Sequence, residues 1–86
     1  MNSSTTEGFR RAFAALPREI QELAKKNYRL WLRNPRHPSL QFKRVGDYWS
    51  IRIGEHYRAL GRMKGDTLYW FRIGSHAEYD KWPKIQ

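Results

Sequence analysis

The run Tyr48-Trp-Ser-Ile-Arg-Ile-Gly54-Glu-His-Tyr57-Arg-Ala-Leu-Gly-Arg-Met63 decides the fold of this 86-residue chain. Apolar and polar residues alternate through it with a period of two, the period of a strand with one covered face. Gly54-Glu55-His56 interrupts the alternation with a turn, so the run predicts two antiparallel strands, Tyr48 to Ile53 and Tyr57 to Met63. The same period continues on both sides. Leu40-Gln-Phe-Lys-Arg-Val45 precedes Gly46-Asp47, and Thr67 to Ile73 follows Lys64-Gly65-Asp66, which makes four strands in an antiparallel meander with glycine-bearing turns.

Upstream the period changes to that of a helix. Phe9, Ala12, Phe13 and Leu16 recur at i, i+3, i+4 and i+7, and predict a first helix ending near Leu16. Pro17 suits the first turn of a second helix, whose apolar stripe is Ile20, Leu23, Ala24, Tyr28 and Trp31 and which stops at Asn34-Pro35. Pro35-Arg-His-Pro-Ser39 reads as an extended loop, because proline removes a backbone donor and disfavours helix in its predecessor. A short strand around Ser3 to Thr6 is a further candidate. A sheet needs a covered face, and the helical hairpin is the available cover. The expected fold is therefore α+β: one domain over residues 1–86, an N-terminal helical hairpin packed on a four- to five-stranded, mainly antiparallel sheet.

Alternation also sorts the sheet residues by face. With Trp49, Ile51, Ile53, Tyr57 and Ala59 turned to the helices, Ser50, Arg52, Arg58 and Arg62 turn away. Extended to the last strand, the rule sends Phe71 and Ile73 inward and Trp70 and Arg72 outward. The expected outer face is a basic floor of Arg52, Arg58, Arg62 and Arg72 with Trp70 among them.

Composition supports a role for that floor. Seventeen Lys and Arg against eight Asp and Glu give a net charge of +9, and four Trp, five Tyr and four Phe supply stacking surfaces. Nucleic acid is the leading class of partner on these grounds, with an acidic protein as the alternative. The chain has no cysteine, which excludes disulfides, thiolate metal sites and cysteine nucleophiles. No apolar run is long enough for a membrane span, and Met-Asn-Ser-Ser-Thr-Thr lacks a signal peptide's regions, so a soluble cytoplasmic protein without membrane contact is expected. His37, His56 and His76 share no ligand spacing, and neither a metal site nor a cofactor is expected.

The order helix, helix, four strands, taken with Leu40-x-Phe42-Lys43, Ser50-Ile-Arg52-Ile53, Tyr57-Arg58-Ala59 and Ile73-Gly-Ser-His76-Ala-Glu-Tyr79, resembles the RelE/ParE superfamily of type II toxin–antitoxin toxins. The resemblance spans essentially the whole chain. It implies a compact toxin with a cognate antitoxin protein. In the RelE-like branch it also implies entry into the ribosomal A site and metal-free cutting of mRNA. Arg58 then matches the Tyr-Arg arginine that contacts the scissile phosphate, Arg52 a basic strand position lining the same cleft, and His76 the catalytic histidine of branches with a Gly-Ser-His string, such as the YafQ-like toxins. Tyr79 falls near the C-terminal tyrosine of other branches. Ser50 stands where the RelE type carries a lysine, and His76 where it carries an arginine. The ParE-like branch shares the fold, poisons DNA gyrase and cuts nothing; an inactive relative, kept with its antitoxin as a DNA-binding repressor complex, is the third reading.

Metal-free RNA cleavage uses the neighbouring 2′-hydroxyl as nucleophile and asks the protein for proton transfer and for stabilisation of a crowded phosphorane. His76 is the candidate for proton transfer, acid or base, a role worth about 10²–10⁴-fold. Arg58 and Arg52 are the candidates for the non-bridging oxygens. Tyr79 or Lys43 completes the site, and Lys43, Arg62, Arg72 and Trp70 are the expected RNA-binding residues. The pairs Arg10-Arg11, Lys25-Lys26 and Arg33-Arg36 suit ribosomal RNA backbone or an acidic antitoxin equally well. His56 and His37 are expected to be structural.

Overall fold

A computed structural model describes residues 2–83. The elements run β1 (Asn2–Thr5), α1 (Glu7–Ala14), α2 (Arg18–Arg33), a 3-10 turn (Pro38–Leu40), β2 (Lys43–Val45), β3 (Tyr48–Ile53), β4 (Tyr57–Lys64), β5 (Thr67–Ser75) and α3 (His76–Lys81). This is the expected α+β fold, with the fifth strand present and one additional short helix.

Local chemistry sets the boundaries. The Thr6 hydroxyl accepts the Phe9 amide at 3.1 Å and caps α1. α1 ends at Ala14, earlier than Leu16, because its last turn tightens: Leu16 donates to the Phe13 carbonyl, three residues back, before Pro17 opens α2 as its N-cap. β2 begins at Lys43 rather than Leu40. Pro38–Leu40 forms a 3-10 turn whose start is capped by His37 Nδ1, and Gln41 follows at a φ of 45°, so the chain enters the strand only after a left-handed residue. Gly46 and Gly65 take φ values of 60° and 63° in the β2–β3 and β4–β5 turns, a region costly for any residue with a Cβ.

The sheet order is β1-β5-β4-β3-β2. β2 to β5 pair antiparallel as a meander, while β1 lies parallel beside β5, with Asn2 opposite Thr67 and Thr5 opposite Trp70. α1 packs on β5 and α2 on β3. Between helices and sheet lies a core of Ala24, Trp31, Leu40, Ile51, Ile53, Ala59, Leu68, Trp70 and Ile73, with Phe9, Phe13, Phe42 and Trp49 packed against it. No described helix is long and apolar enough to cross a membrane.

One expected orientation is corrected. Trp70 is 3% exposed and faces the helices, its ring edge-to-face with Trp31 at 5.6 Å. The register explains the error: Leu60 pairs with Arg72 but Gly61 pairs with Trp70, so Phe71 is an extra residue in a bulge. Through the bulge the period of two breaks. Trp70 and Ile73 both face inward, and Phe71 turns outward onto Tyr48, 5.2 Å between ring centroids. Gly61 makes room for the buried indole, since a Cβ there would meet Leu68 and Trp70 at 3.0 Å.

Candidate active site on the outer sheet face

The face opposite the helices carries rows of residues joined across the strands. One row is Arg52, Arg58 and Gly74; the next is Lys43, Ser50, Leu60 and Arg72. α3 follows β5 directly and closes over the first row. A capping box starts it: Ser75 Oγ accepts the Glu78 amide at 3.2 Å, and Glu78 Oε1 accepts the Ser75 amide at 2.8 Å. The His76 amide donates to the His56 carbonyl at 2.7 Å and ties the helix start to the β3–β4 turn. Gly74 lets α3 approach, because a Cβ there would lie 2.7 Å from Glu78 Oε1 and 3.1 Å from Trp82.

Arg58 is the centre of this arrangement. Only 8% exposed, it donates from Nη1 to Ser50 Oγ at 3.2 Å and from Nη2 to Gln41 Oε1 at 2.7 Å, and its guanidinium lies 5.3 Å from the centroid of the Tyr79 ring. All three partners are neutral. No carboxylate pairs with this buried cation among the described residues. A guanidinium has five N–H donors, so donors remain for an anion, and the cost of burying an uncompensated charge is relieved when one arrives.

Tyr79 lies between Arg58 and His76. Its ring lies 5.9 Å from the imidazole of His76 and 5.9 Å from Trp82. His76 and Asp80 stand one turn apart on α3, with Nδ1 3.3 Å from Asp80 Oδ2 and the His76 side chain half exposed. A carboxylate at Nδ1 favours the tautomer with its proton there and leaves Nε2 as the ring nitrogen able to accept one. Trp82 in turn packs under Arg72, 5.5 Å from ring centroid to guanidinium carbon.

Of the sequence-derived candidates, Arg58, His76 and Tyr79 are thus brought together. Arg52 is the cross-strand neighbour of Arg58, and its Nε donates to the Gly54 carbonyl at 2.6 Å. Lys43 is exposed opposite Ser50, and Arg72 lies on the same face. Arg62 is exposed but four residues further along β4, opposite Tyr69 and away from His76. Trp70 lies in the core on the helix side of the sheet, away from the outer face. His37 and His56 do not join the cluster: His37 caps the 3-10 turn, and the His56 imidazole is exposed beside Glu55.

Four participants escaped the sequence reading: Gln41, Ser50 as a partner of Arg58, Asp80 and Trp82. The string Ser75-x-x-Glu78 is a capping-box signature that announces α3, and with it the i, i+4 pairing of His76 and Asp80. A groove of about 600 Å³ lies on the opposite side, lined by Phe9, Phe13, Tyr28, Ile51, Ile53 and Trp70 among others. Its surface is mostly apolar, with Arg10, Lys25 and Tyr28 in its lining, and none of Arg58, His76 and Tyr79 reaches it.

A helical hairpin on one side of this sheet and a short helix closing the other are the architecture of the RelE/ParE toxin fold. The chain is similar, at 21% identity and a TM-score of 0.70, to a chain of the RelB–RelE antitoxin–toxin complex of Methanococcus jannaschii, covering 92% of this chain and 98% of that one. It is similar to YafQ of E. coli at 13% identity and a TM-score of 0.69, covering 91% and 96%, and to the YoeB/ParE toxin of Agrobacterium tumefaciens at 19% and 0.66, covering 88% and 99%. The family described as the ParE-like toxin domain matches residues 18–81, and the chain belongs to that family. No curated protein matches it in sequence.

Proposed function

We propose that this protein is the toxin of a type II toxin–antitoxin system and that it cuts mRNA in the ribosomal A site, without a metal, by attack of the 2′-hydroxyl on its own phosphodiester. The observation that carries this reading is the buried, carboxylate-free guanidinium of Arg58, linked through the Tyr79 ring to a histidine held at Nδ1 by Asp80. An anion site and a proton-transfer group on one face are what this chemistry requires.

In the proposed reaction the 2′-oxygen bonds to phosphorus, the bond from phosphorus to the 5′-oxygen breaks, and a cyclic phosphate and a free 5′-hydroxyl result. The spare N–H donors of Arg58 hold the non-bridging oxygens as charge grows on them, with Arg52 beside it and Lys43 and Arg72 in the next row. His76 Nε2 transfers the proton. Ser50, where the RelE type has a lysine, orients Arg58 and brings no charge of its own. The antitoxin is a second protein, as in the RelB–RelE complexes to which the fold is similar; the +9 charge suits an acidic one.

A second reading follows from the matching family, the ParE-like one: a non-enzymatic inhibitor of DNA gyrase. One experiment separates the two. The purified protein is added to a cell-free translation reaction, and 5′ ends on a defined message are mapped by primer extension, with and without ribosomes and beside His76→Ala. Ribosome-dependent cuts that vanish in the variant are expected. Intact message, normal protein synthesis and blocked DNA supercoiling by gyrase would assign the protein to the second reading.

A further inference from the structure

At the far end of the outer face, away from α3, lies a cleft of about 630 Å³ whose lining includes Thr6, Tyr48, Arg62, Lys64, Tyr69 and Phe71. Tyr48 and Phe71 meet edge-to-face, and Tyr69 is one of the few large apolar side chains that the described chain exposes. Phe71 reaches this face only because the β5 bulge turns it there. The two cations in the lining, Arg62 and Lys64, have no ion-pair partner among the described residues, and no carboxylate lines the cleft. Asp66, in the adjoining turn, accepts from Asn2 Nδ2 and Thr67 Oγ1, each at 3.4 Å.

We infer that this cleft is a nucleobase-stacking subsite for single-stranded RNA, in which a base packs against Tyr48, Tyr69 and Phe71 while Arg62 and Lys64 hold the flanking phosphates. Aromatic rings standing between cations on an open sheet form a stacking platform that tolerates any base. Spacing supports the assignment. Arg62 follows Arg58 by four residues on the same strand, a separation of about 13 Å at the usual rise, which an extended strand spans in a couple of nucleotides. A message with its phosphate on Arg58 would therefore place a neighbouring base in the cleft, along the row through Ser50 and Leu60. The inference rests on the RNA-directed reading of this face and adds to it a site that fixes where the strand lies.

The test uses the full chain and a 2′-O-methyl hexaribonucleotide, which lacks the attacking hydroxyl, carrying 2-aminopurine at successive positions; an abasic strand of equal length is the control. Wild type is expected to quench the fluorescence at one position and to bind the base-bearing strand about 5- to 100-fold more tightly than the abasic one. Phe71→Leu and the exposed Tyr69→Ser, each checked for an unchanged melting temperature, are expected to lose both the quench and the preference. Arg58→Met is expected to weaken binding while the quench at saturation persists. Equal affinity for the abasic strand, an undiminished quench in Tyr69→Ser, or no binding at low salt would overturn the subsite. Translation arrest by wild type, scored in parallel, keeps the two readings apart: arrest without base preference removes the subsite alone, whereas base preference without arrest supports the subsite and removes the endonuclease.

Discussion

The guanidinium of Arg58 sits 5.3 Å from the ring centroid of Tyr79, so a cation from the sheet and an aromatic from the last helix form the junction of the site. In the proposed reaction the sheet supplies the charge and α3 the proton carrier. Neither element holds Arg58, Tyr79 and His76 together, and the contact between them sets how far the guanidinium lies from the imidazole.

Arg58→Met tests the cost of that arrangement. A buried charge with neutral partners contributes little to stability, and replacing it by an apolar side chain of similar volume is neutral or favourable. Urea denaturation is expected to place the variant within about 1 kcal/mol of wild type or above it, while cleavage in the translation assay falls by about 10²–10³-fold. A variant several kcal/mol less stable would show that Arg58 serves the fold rather than an anion.

Gln41→Glu replaces the amide oxygen 2.7 Å from Arg58 Nη2 with a carboxylate. The new pair neutralises the guanidinium and competes with phosphate. The expected outcome is a higher melting temperature together with weaker binding of RNA; unchanged binding would mean that the donors on Nη2 are not the ones the phosphate uses.

For His76 and Asp80 a graded series is expected. His76→Ala should lower the cleavage rate by about 10²–10⁴-fold, and Asp80→Asn by less, since the amide still touches Nδ1 but no longer favours the tautomer with its proton there. Quantified primer extension gives both rates. If Asp80→Asn were as inactive as His76→Ala, Asp80 would have a role of its own in the chemistry.

Ser75→Ala and Gly74→Ala perturb α3 by different routes. Loss of the capping hydroxyl costs about 1 kcal/mol, and amide exchange in residues 76–81 should quicken while β3 and β4 stay protected. A methyl group at Gly74 pushes on Glu78 and Trp82, at a cost of about 1–3 kcal/mol. Both variants should lose cleavage more than stability, because Tyr79 and His76 shift from Arg58. Full activity in Gly74→Ala would show that the register of α3 is not critical.

Most of the sheet is legible because Tyr48 to Ile53 and Tyr57 to Met63 each keep a period of two. The reading failed where that period is broken by geometry. A bulge leaves no mark in the string Tyr69-Trp-Phe-Arg72, so Trp70 was expected outward and Phe71 inward, the reverse of what the register imposes. Leu40 looked like a strand residue by its apolar character, yet Pro38 and the left-handed Gln41 hold it in a turn. Arg58, His76 and Tyr79 were found through a resemblance in their local strings. Gln41 was not, since its contact with Arg58 depends on a backbone conformation that the sequence does not spell out. α3 is legible in Ser75-x-x-Glu78, a capping box that begins just past the run Thr67 to Ile73.

The parallel pairing of β1 with β5 has a consequence for the order of assembly. Asn2 meets Thr67 across most of the chain, whereas the β3–β4 and β4–β5 hairpins close over short loops. Closing a long loop is slow and its entropy cost is greater, so β1 is expected to dock after the hairpins have formed and to open first under stress. Arg52, Arg58 and Arg72 all lie on those hairpins, so the cations of the outer face belong to the early-forming part. A molecule with β1 detached would keep its outer face and bare the backbone edge of β5, where a strand from another chain could take the vacated place.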